Sequence, residues 1–294
     1  MAEQERKNVK IGFFDSGAGG LSVLDCFVKK GSFTEVVYFG DNENAPYGGK
    51  NKRELTALAA EGVGRLTAAG AEIVVLACGT MSVNVLSELR EIFPQTPIFG
   101  VFPPVERCVL EGTRPAVLFA TPATAKEYKN IPGITAIALP FLAAEIEDHL
   151  FSLGKVCLKK HLSPLAENPS AIVIGCTHYA LIGDRFKQMF PNARFYFGAK
   201  DALRNVEKFL KNKTAFLHGN ADENLLNQNS DHFLVKKEVG VTTFDSKSNR
   251  NQIILKNSTI FGYFYGKKVN FIGNSALLNF DAYTNICSNL TKIQ

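Results

Sequence analysis

Val74-Val75-Leu76-Ala77-Cys78-Gly79-Thr80 is matched, 98 residues further on, by Ile172-Val173-Ile174-Gly175-Cys176-Thr177-His178. Each phrase is a short run of β-branched and apolar residues that stops at a cysteine followed by small or hydroxyl residues. Such a run reads as a buried strand delivering a thiol at its C-terminal end. Two thiols presented in this way, on opposite sides of one ligand, suit the transfer of a proton from one face of a carbon to the other.

Outward from these phrases, strands alternate with helical stretches. Lys10–Asp15 reads as a strand running into Ser16-Gly17-Ala18-Gly19-Gly20 and an amphipathic stretch from Leu21 to Lys30. Val36–Gly40 is a second strand, Lys52–Ala69 a helix, Ile73–Ala77 a third strand, Ser82–Ile92 a helix and Ile98–Val101 a short strand. The pattern then restarts, with strands at Ala116–Ala120, Ala136–Leu139, Ala171–Gly175 and Arg194–Phe197 and helices at Ala143–Ser152 and Tyr179–Met189. Alternation of this kind implies parallel sheets of α/β type. Two such blocks predict two similar parallel-sheet α/β lobes with the active site in the cleft between them. Lobe A is expected to hold residues 1–97 plus about 212–241, with Asp15 and Cys78. Lobe B is expected to hold 98–211, with Cys176 and His178. Ligands of open parallel sheets sit beyond the carboxyl ends of the strands, where Asp15, Cys78, Thr121 and Cys176 all fall. Residues 242–294, rich in Asn, Ser, Lys and aromatics, read as a C-terminal β-rich extension with no helical period and no evident role.

Bulk composition excludes several classes. With 294 residues, 46% of them hydrophobic, the chain can bury a core in one large or two medium domains. A net charge of +5 is a mild excess that does not predict nucleic-acid binding. The polar N-terminus lacks the apolar core of a signal peptide, and no apolar run approaches the roughly 20 residues of a membrane span. Six cysteines without an export signal or a dense framework read as reduced thiols of a cytoplasmic protein. With no C-x-x-C pair and scattered histidines, no metal site is expected.

Strand ends that lead into helices expose backbone N–H groups and a positive dipole end, which bind carboxylates and stabilise thiolates. Cys78 and Cys176 are therefore candidate acid/base groups working near neutral pH. Asp15, at the end of the first strand, reads as a group that binds a substrate ammonium or acts on a nearby thiol, or else as a helix N-cap. Gly17, Gly19 and Gly20 do not fit the dinucleotide pattern G-x-G-x-x-G. His178 can tune the Cys176 thiol or relay its proton. Pro46-Tyr47-Gly48 is turn chemistry, with a tyrosine able to reach into a cleft.

The phrases IGFFDSGAGGLSVL (Ile11–Leu24), YFGDNENAPYGGK (Tyr38–Lys50), VVLACGTMS (Val74–Ser82) and VIGCTHYALI (Val173–Ile182) resemble, in order and spacing, the glutamate racemases of the cofactor-independent aspartate/glutamate racemase superfamily. The resemblance covers roughly residues 8–241. It implies interconversion of L- and D-glutamate for peptidoglycan synthesis by a two-base mechanism without any cofactor, in a homodimer that binds neither nucleic acid nor membrane. It further implies catalytic roles for Cys78, Cys176, Asp15, His178 and Glu147. Substrate contacts are implied for Asp15, Ser16, Pro46, Tyr47, Gly48, Gly79, Thr80, Thr121, Thr124, Thr177 and His178. Three positions depart from the family pattern. Gly79 stands where the family has Asn after the first cysteine, Pro103 where it has Glu, and Asn44 where it has Arg. Two alternatives follow from these departures: a racemase or isomerase of aspartate or another acidic substrate, and a non-catalytic binding paralogue.

Overall fold

The computed structural model of the protein describes residues 9–31, 33, 35–162, 168–217, 259–264, 267–273 and 276–290. The chain opens with β1 (Lys10–Asp15), α1 (Leu21–Lys30), β2 (Glu35–Gly40), α2 (Lys52–Ala68), β3 (Ile73–Leu76), α3 (Gly79–Asn84), α4 (Leu86–Ile92) and β4 (Ile98–Gly100). The second block runs through α5 (Val105–Leu110), β5 (Ala116–Ala120), α6 (Pro122–Tyr128), β6 (Ile134–Ala138), α7 (Leu142–Asp148), β7 (Ala171–Ile174), α8 (Thr177–Leu181), α9 (Gly183–Met189) and β8 (Arg194–Phe197). It is followed by α10 (Ala199–Leu217), β9 (Thr259–Phe264), β10 (Lys267–Ile272) and α11 (Ala276–Leu290).

Two sheets result, one per lobe. The second lobe has four parallel strands in the order β6-β5-β7-β8. The first has six, in the order β4-β3-β1-β2-β10-β9, parallel except for the antiparallel pairing of β9 with β10. Both strands that lead to a cysteine are interior. β3 lies between β1 and β4, β7 lies between β5 and β8, and every residue of each is buried. Burial on both faces is why they read as continuous apolar runs rather than as alternation.

The duplication extends past the thiols. After Cys78 the chain forms α3, breaks at Val85 and continues as α4; after Cys176 it forms α8, breaks at Ile182 and continues as α9. The sequence reading placed a single helix after each cysteine. The break falls in both copies at a buried β-branched residue with non-helical φ, −136° at Val85 and −111° at Ile182.

The C-terminal segment differs from the sequence reading of short strands and turns alone. β10 pairs with β2, so the hairpin extends the first lobe's sheet, and α11 is a helix of 15 residues. Asn279, Ala282 and Tyr283 supply its buried stripe at i, i+3 and i+4, and Tyr283 and Phe280 pack on Phe271 of β10. A buried stripe that includes Asn and Tyr hides the helical period in an Asn-rich stretch. Ala202, Leu203, Val206 and Leu210 of α10 lie in the same hydrophobic cluster as α1 and β1 of the first lobe. Of residues 212–241, assigned to the first lobe from sequence, 218–241 lie outside the described residues. Among the described residues, no helix is long and apolar enough to cross a membrane.

Candidate active site between the lobes

Cys78 and Cys176 occupy equivalent places. Each is the extended residue immediately before a short helix, at φ −110°, ψ 121° and φ −133°, ψ 135° respectively. Both are buried, and the charge of Cys176 is felt at Cys78. The lobes meet around them. A Cβ on Gly79 would stand 2.7 Å from the carbonyl oxygen of Gly175, so the residue after one thiol is packed on the residue before the other. The Thr80 and Thr121 hydroxyls bond each other at 3.0 Å, and Thr121 Oγ1 donates to Thr124 Oγ1 at 3.2 Å. The Ala123 N–H donates to the Gly48 carbonyl at 3.2 Å, and Ser22 Oγ donates to the Thr177 carbonyl at 3.1 Å.

The glycines of Ser16–Gly20 have a steric reason. A Cβ on Gly17 would lie 2.0 Å from Glu147 Oε1, and one on Gly19 would lie 2.2 Å from His178 Nδ1. The loop of the first lobe is thus pressed against an acid–imidazole pair of the second. His178 Nε2 and Glu147 Oε1 are 2.6 Å apart, and the Ala18 N–H donates to the same carboxylate oxygen at 2.6 Å. The other face of the imidazole serves the thiol, with Nδ1 3.9 Å from Cys176 Sγ.

Asp15 is fully buried, accepting from the Gly17 N–H at 3.1 Å and from the Thr177 hydroxyl at 3.5 Å. It does not cap α1, whose N-cap is Gly20 with no side-chain bond. On the other side of the site, Cys78 Sγ is 3.6 Å from Ser16 Oγ.

Burial and charge act together on the titratable groups around the thiols. Burial above all, then the Asp15 carboxylate, pushes Cys78 up to about 12, against the Met81 N–H and the Ser16 hydroxyl. This corrects the expectation of a near-neutral thiol at that position, because burial, in a hydrophobic cluster with Phe14, Leu76 and Met81 of its own lobe, outweighs the helix start. Burial likewise raises Asp15 to about 6, although the charge of His178 opposes it. For His178 burial works against the cation, but its bonds to Cys176 and Glu147 and their charges prevail and hold it well above the ordinary imidazole range. Glu147 is lowered: burial opposes ionisation, and the His178 charge with bonds from His178, Ala18 and Asn42 overcomes it. A buried imidazolium–carboxylate pair therefore stands beside Cys176, and a neutral thiol stands at Cys78.

Three residues expected at the substrate make other contacts or lie exposed. The Tyr47 hydroxyl donates to Asp41 Oδ2 at 2.6 Å, which commits it to the first lobe rather than to the cleft. Pro46, after a cis peptide bond, is exposed. Gly48 packs on Thr121 as a lobe contact. Sequence reasoning passed over Asp41, which anchors Tyr47 and Asn44, and Asn42, whose Nδ2 donates to Glu147 Oε2 at 3.3 Å. The signal was present, since both lie inside the quoted phrase Tyr38–Lys50. Ser22 likewise lies inside the quoted phrase Ile11–Leu24, whereas Asn279 gave no comparable signal.

A cleft of about 970 Å³ touches Gly79 of the first lobe and Gly175, Cys176 and Thr177 of the second, while Cys78 and Asp15 do not line it. Among the described residues no cluster of three or more His, Cys, Asp or Glu side chains is arranged to hold a metal ion.

No protein-family model matches the chain. It is similar to the glutamate racemase of Leptospira borgpetersenii serovar Hardjo-bovis (strain JB197), with 33% identity over 210 residues covering 67% of this chain and 81% of the relative. The glutamate racemase of Lachnospira eligens is 35% identical over 199 residues, covering 63% of this chain and 75% of the relative. Among solved structures, Escherichia coli glutamate racemase in complex with L-glutamate and the activator UDP-MurNAc-ala superposes with a TM-score of 0.62 at 27% identity, over 69% of this chain and 83% of that one. The Campylobacter jejuni enzyme superposes with a TM-score of 0.59 at 27% identity, over 70% and 86%.

Proposed function

The chain belongs to the glutamate racemase family, and we propose that it interconverts L- and D-glutamate by passing the α-proton between Cys78 and Cys176. One sulfur, as thiolate, takes the α-hydrogen; the other, as thiol, gives its proton to the opposite face of the same carbon. Charge and atoms balance, since the thiolate becomes a thiol as the thiol becomes a thiolate, and the next turnover runs in the reverse sense.

The observation that carries this reading is the pairing of two equivalent strand-end thiols in unequal electrostatic settings. Cys78, raised to about 12, is the proton donor in the resting protein. Cys176 has the His178 imidazolium 3.9 Å away as the counter-charge for a thiolate. Cys78 thus has a proton to give, and Cys176 a fixed neighbour in His178, before substrate arrives. A substrate ammonium paired with Asp15 would cancel a negative charge that opposes ionisation of Cys78, making that thiol a readier donor once substrate is bound.

An amino-acid α-hydrogen is a very weak acid, so the carbanion-like state needs donors aimed at the α-carboxylate. Hydroxyls of Ser16, Thr80, Thr121 and Thr177, with the N–H groups of Gly79 and Thr177 at the helix starts, supply donors from both lobes. The Thr80–Thr121 bond and the Gly79–Gly175 contact hold the lobes shut in the described conformation. Admission of substrate then requires them to part, and reclosure excludes water from the carbanion. Product feeding peptidoglycan synthesis and a homodimeric assembly belong to the same proposal; light scattering tests the latter.

The test of the activity is a chiral assay of the purified protein on each glutamate enantiomer beside aspartate. Racemisation of glutamate at the highest kcat/KM supports the proposal; turnover of aspartate alone would replace it with the alternative substrate.

A further inference from the structure

Helix α11 reaches the catalytic pair through two amides. Asn279 is fully buried, and its Nδ2 donates to Asn42 Oδ1 at 3.1 Å. Asn42 Nδ2 in turn donates to Glu147 Oε2 at 3.3 Å, and Glu147 Oε1 holds His178 Nε2 at 2.6 Å. His178 Nδ1 faces Cys176 Sγ. The line of contacts therefore runs from the C-terminal helix of the first lobe, across the lobe boundary, to the thiol of the second.

An amide has one accepting end and one donating end. If the accepting end of Asn42 is taken by Asn279, its donating end is turned to the carboxylate. The Oδ1 of Asn279 itself is buried without a hydrogen-bond partner among the described residues. Keeping an amide in an apolar setting with one atom unpaired costs stability, and an aliphatic side chain would fill the stripe of α11 without that cost. The space is also tight: a Cβ on Gly40 would stand 2.7 Å from Asn279 Nδ2, so the strand end of β2 leaves room for the amide.

We propose that Asn279 is a positioning residue for the Cys176 half of the site: by fixing the orientation of the Asn42 amide, it keeps a donor on Glu147 and so keeps His178 set against the thiol. The inference rests on the two-thiol reading above. It gives the segment 242–294, which the sequence left without a role, a function in catalysis. The titratable groups that face Glu147 are His178 of α8, Asp15 at the end of β1 and Tyr38 of β2.

Asn279→Asp is the informative variant because it keeps shape and removes the donor. An aspartate can only accept, so Asn42 must turn its Nδ2 to residue 279 and present its Oδ1 to Glu147, an acceptor facing a carboxylate. Glu147 then protonates at higher pH. Two readouts are taken in the full chain: the acid limb of kcat/KM against pH, and the titration of the His178 imidazole by nitrogen-15 NMR. Asn279→Asp is expected to lower kcat/KM on the order of 10-fold, as loss of a charge-assisted bond does. It also moves the acid limb upward and lets His178 lose its proton at lower pH. Asn279→Ala does the same more weakly, and Asn42→Ala combined with Asn279→Ala shifts no further than Asn42→Ala alone. If Asn279→Asp does not fold, the alanine comparison decides. Unmoved profiles, with only thermal stability lowered, or additive shifts in the double variant, overturn the inference. Absence of glutamate racemisation in the unaltered protein overturns the functional reading instead, and the His178 titration still decides the relay.

Discussion

Gly79 and Gly175 are in contact across the lobe boundary: a Cβ on the first would come within 2.7 Å of the carbonyl oxygen of the second. Each is the immediate neighbour of one of the two thiols proposed to move the proton, so the spacing of the two sulfurs depends on a glycine at 79. The Asn that relatives carry there by resemblance would need the strand ends to move apart, since the atom it meets is backbone and cannot swing away. Gly79→Ala and Gly79→Asn are both expected to lower kcat/KM for glutamate by roughly 10- to 100-fold, the cost of misplacing reacting groups by about an ångström. Steady-state kinetics on both enantiomers check this; a gain with Gly79→Asn would show that an amide side chain is missing from the site rather than excluded from it.

His178→Gln keeps a polar side chain but removes the cation between Glu147 and Cys176. Loss of a positioned acid/base partner typically costs about 10²–10⁴-fold in rate, and kcat is expected to fall in that range. Glu147→Gln is expected to fall less and to move the alkaline limb of the pH profile downward, because His178 loses the carboxylate that raises it. An alkaline limb unmoved by Glu147→Gln would place its origin elsewhere.

Asp15 is held at a cost to stability. Its folded-state value of about 6 lies above the ordinary 3.8, so between those two values the folded state binds more protons than the unfolded one. Stability from this group is therefore present in full below about pH 4 and lost as pH rises through 6, a difference on the order of 3 kcal/mol. Asp15→Asn should flatten that dependence between pH 4 and 6 and raise the melting temperature at pH 7, while strongly reducing turnover. Thermal melts across this range check it; an unchanged slope would show that Asp15 ionises in the folded protein as it does in the unfolded chain.

Tyr47 is expected to matter for rigidity rather than for substrate. Tyr47→Phe removes a 2.6 Å bond to Asp41, which keeps its two contacts with Asn44 at 3.0 and 2.9 Å. A loss of about 1–2 kcal/mol in unfolding free energy is expected, with KM for glutamate within about twofold, roughly 0.4 kcal/mol, of the unaltered protein. A large rise in KM would return the hydroxyl to the substrate.

The thiols were legible in the sequence because interior parallel strands announce themselves as β-branched runs, and each ended visibly at a cysteine. Asp15 was legible for the same reason. The protonation of Cys78 was not, since the burial that raises it comes from residues distant in sequence, Phe14, Val37 and Tyr47 among them, and leaves no mark beside residue 78. The breaks at Val85 and Ile182 were hidden because a buried β-branched residue looks alike inside a helix and between two. The contact between Asn42 and Asn279 spans 237 positions and follows no periodicity. It became visible only when β10 was seen to pair with β2 and to carry α11 to the strand ends of the first lobe.

The transfer of one proton between two different sulfurs is tested most directly by running the reaction in deuterated water from each enantiomer and examining the α-position at low conversion. Two thiols predict that product carries solvent deuterium while the remaining substrate keeps its original hydrogen, in both directions. Substrate and product labelled equally from the outset, or product that retains the substrate hydrogen, would mean that a single base serves both faces and would contradict the assignment of Cys78 and Cys176.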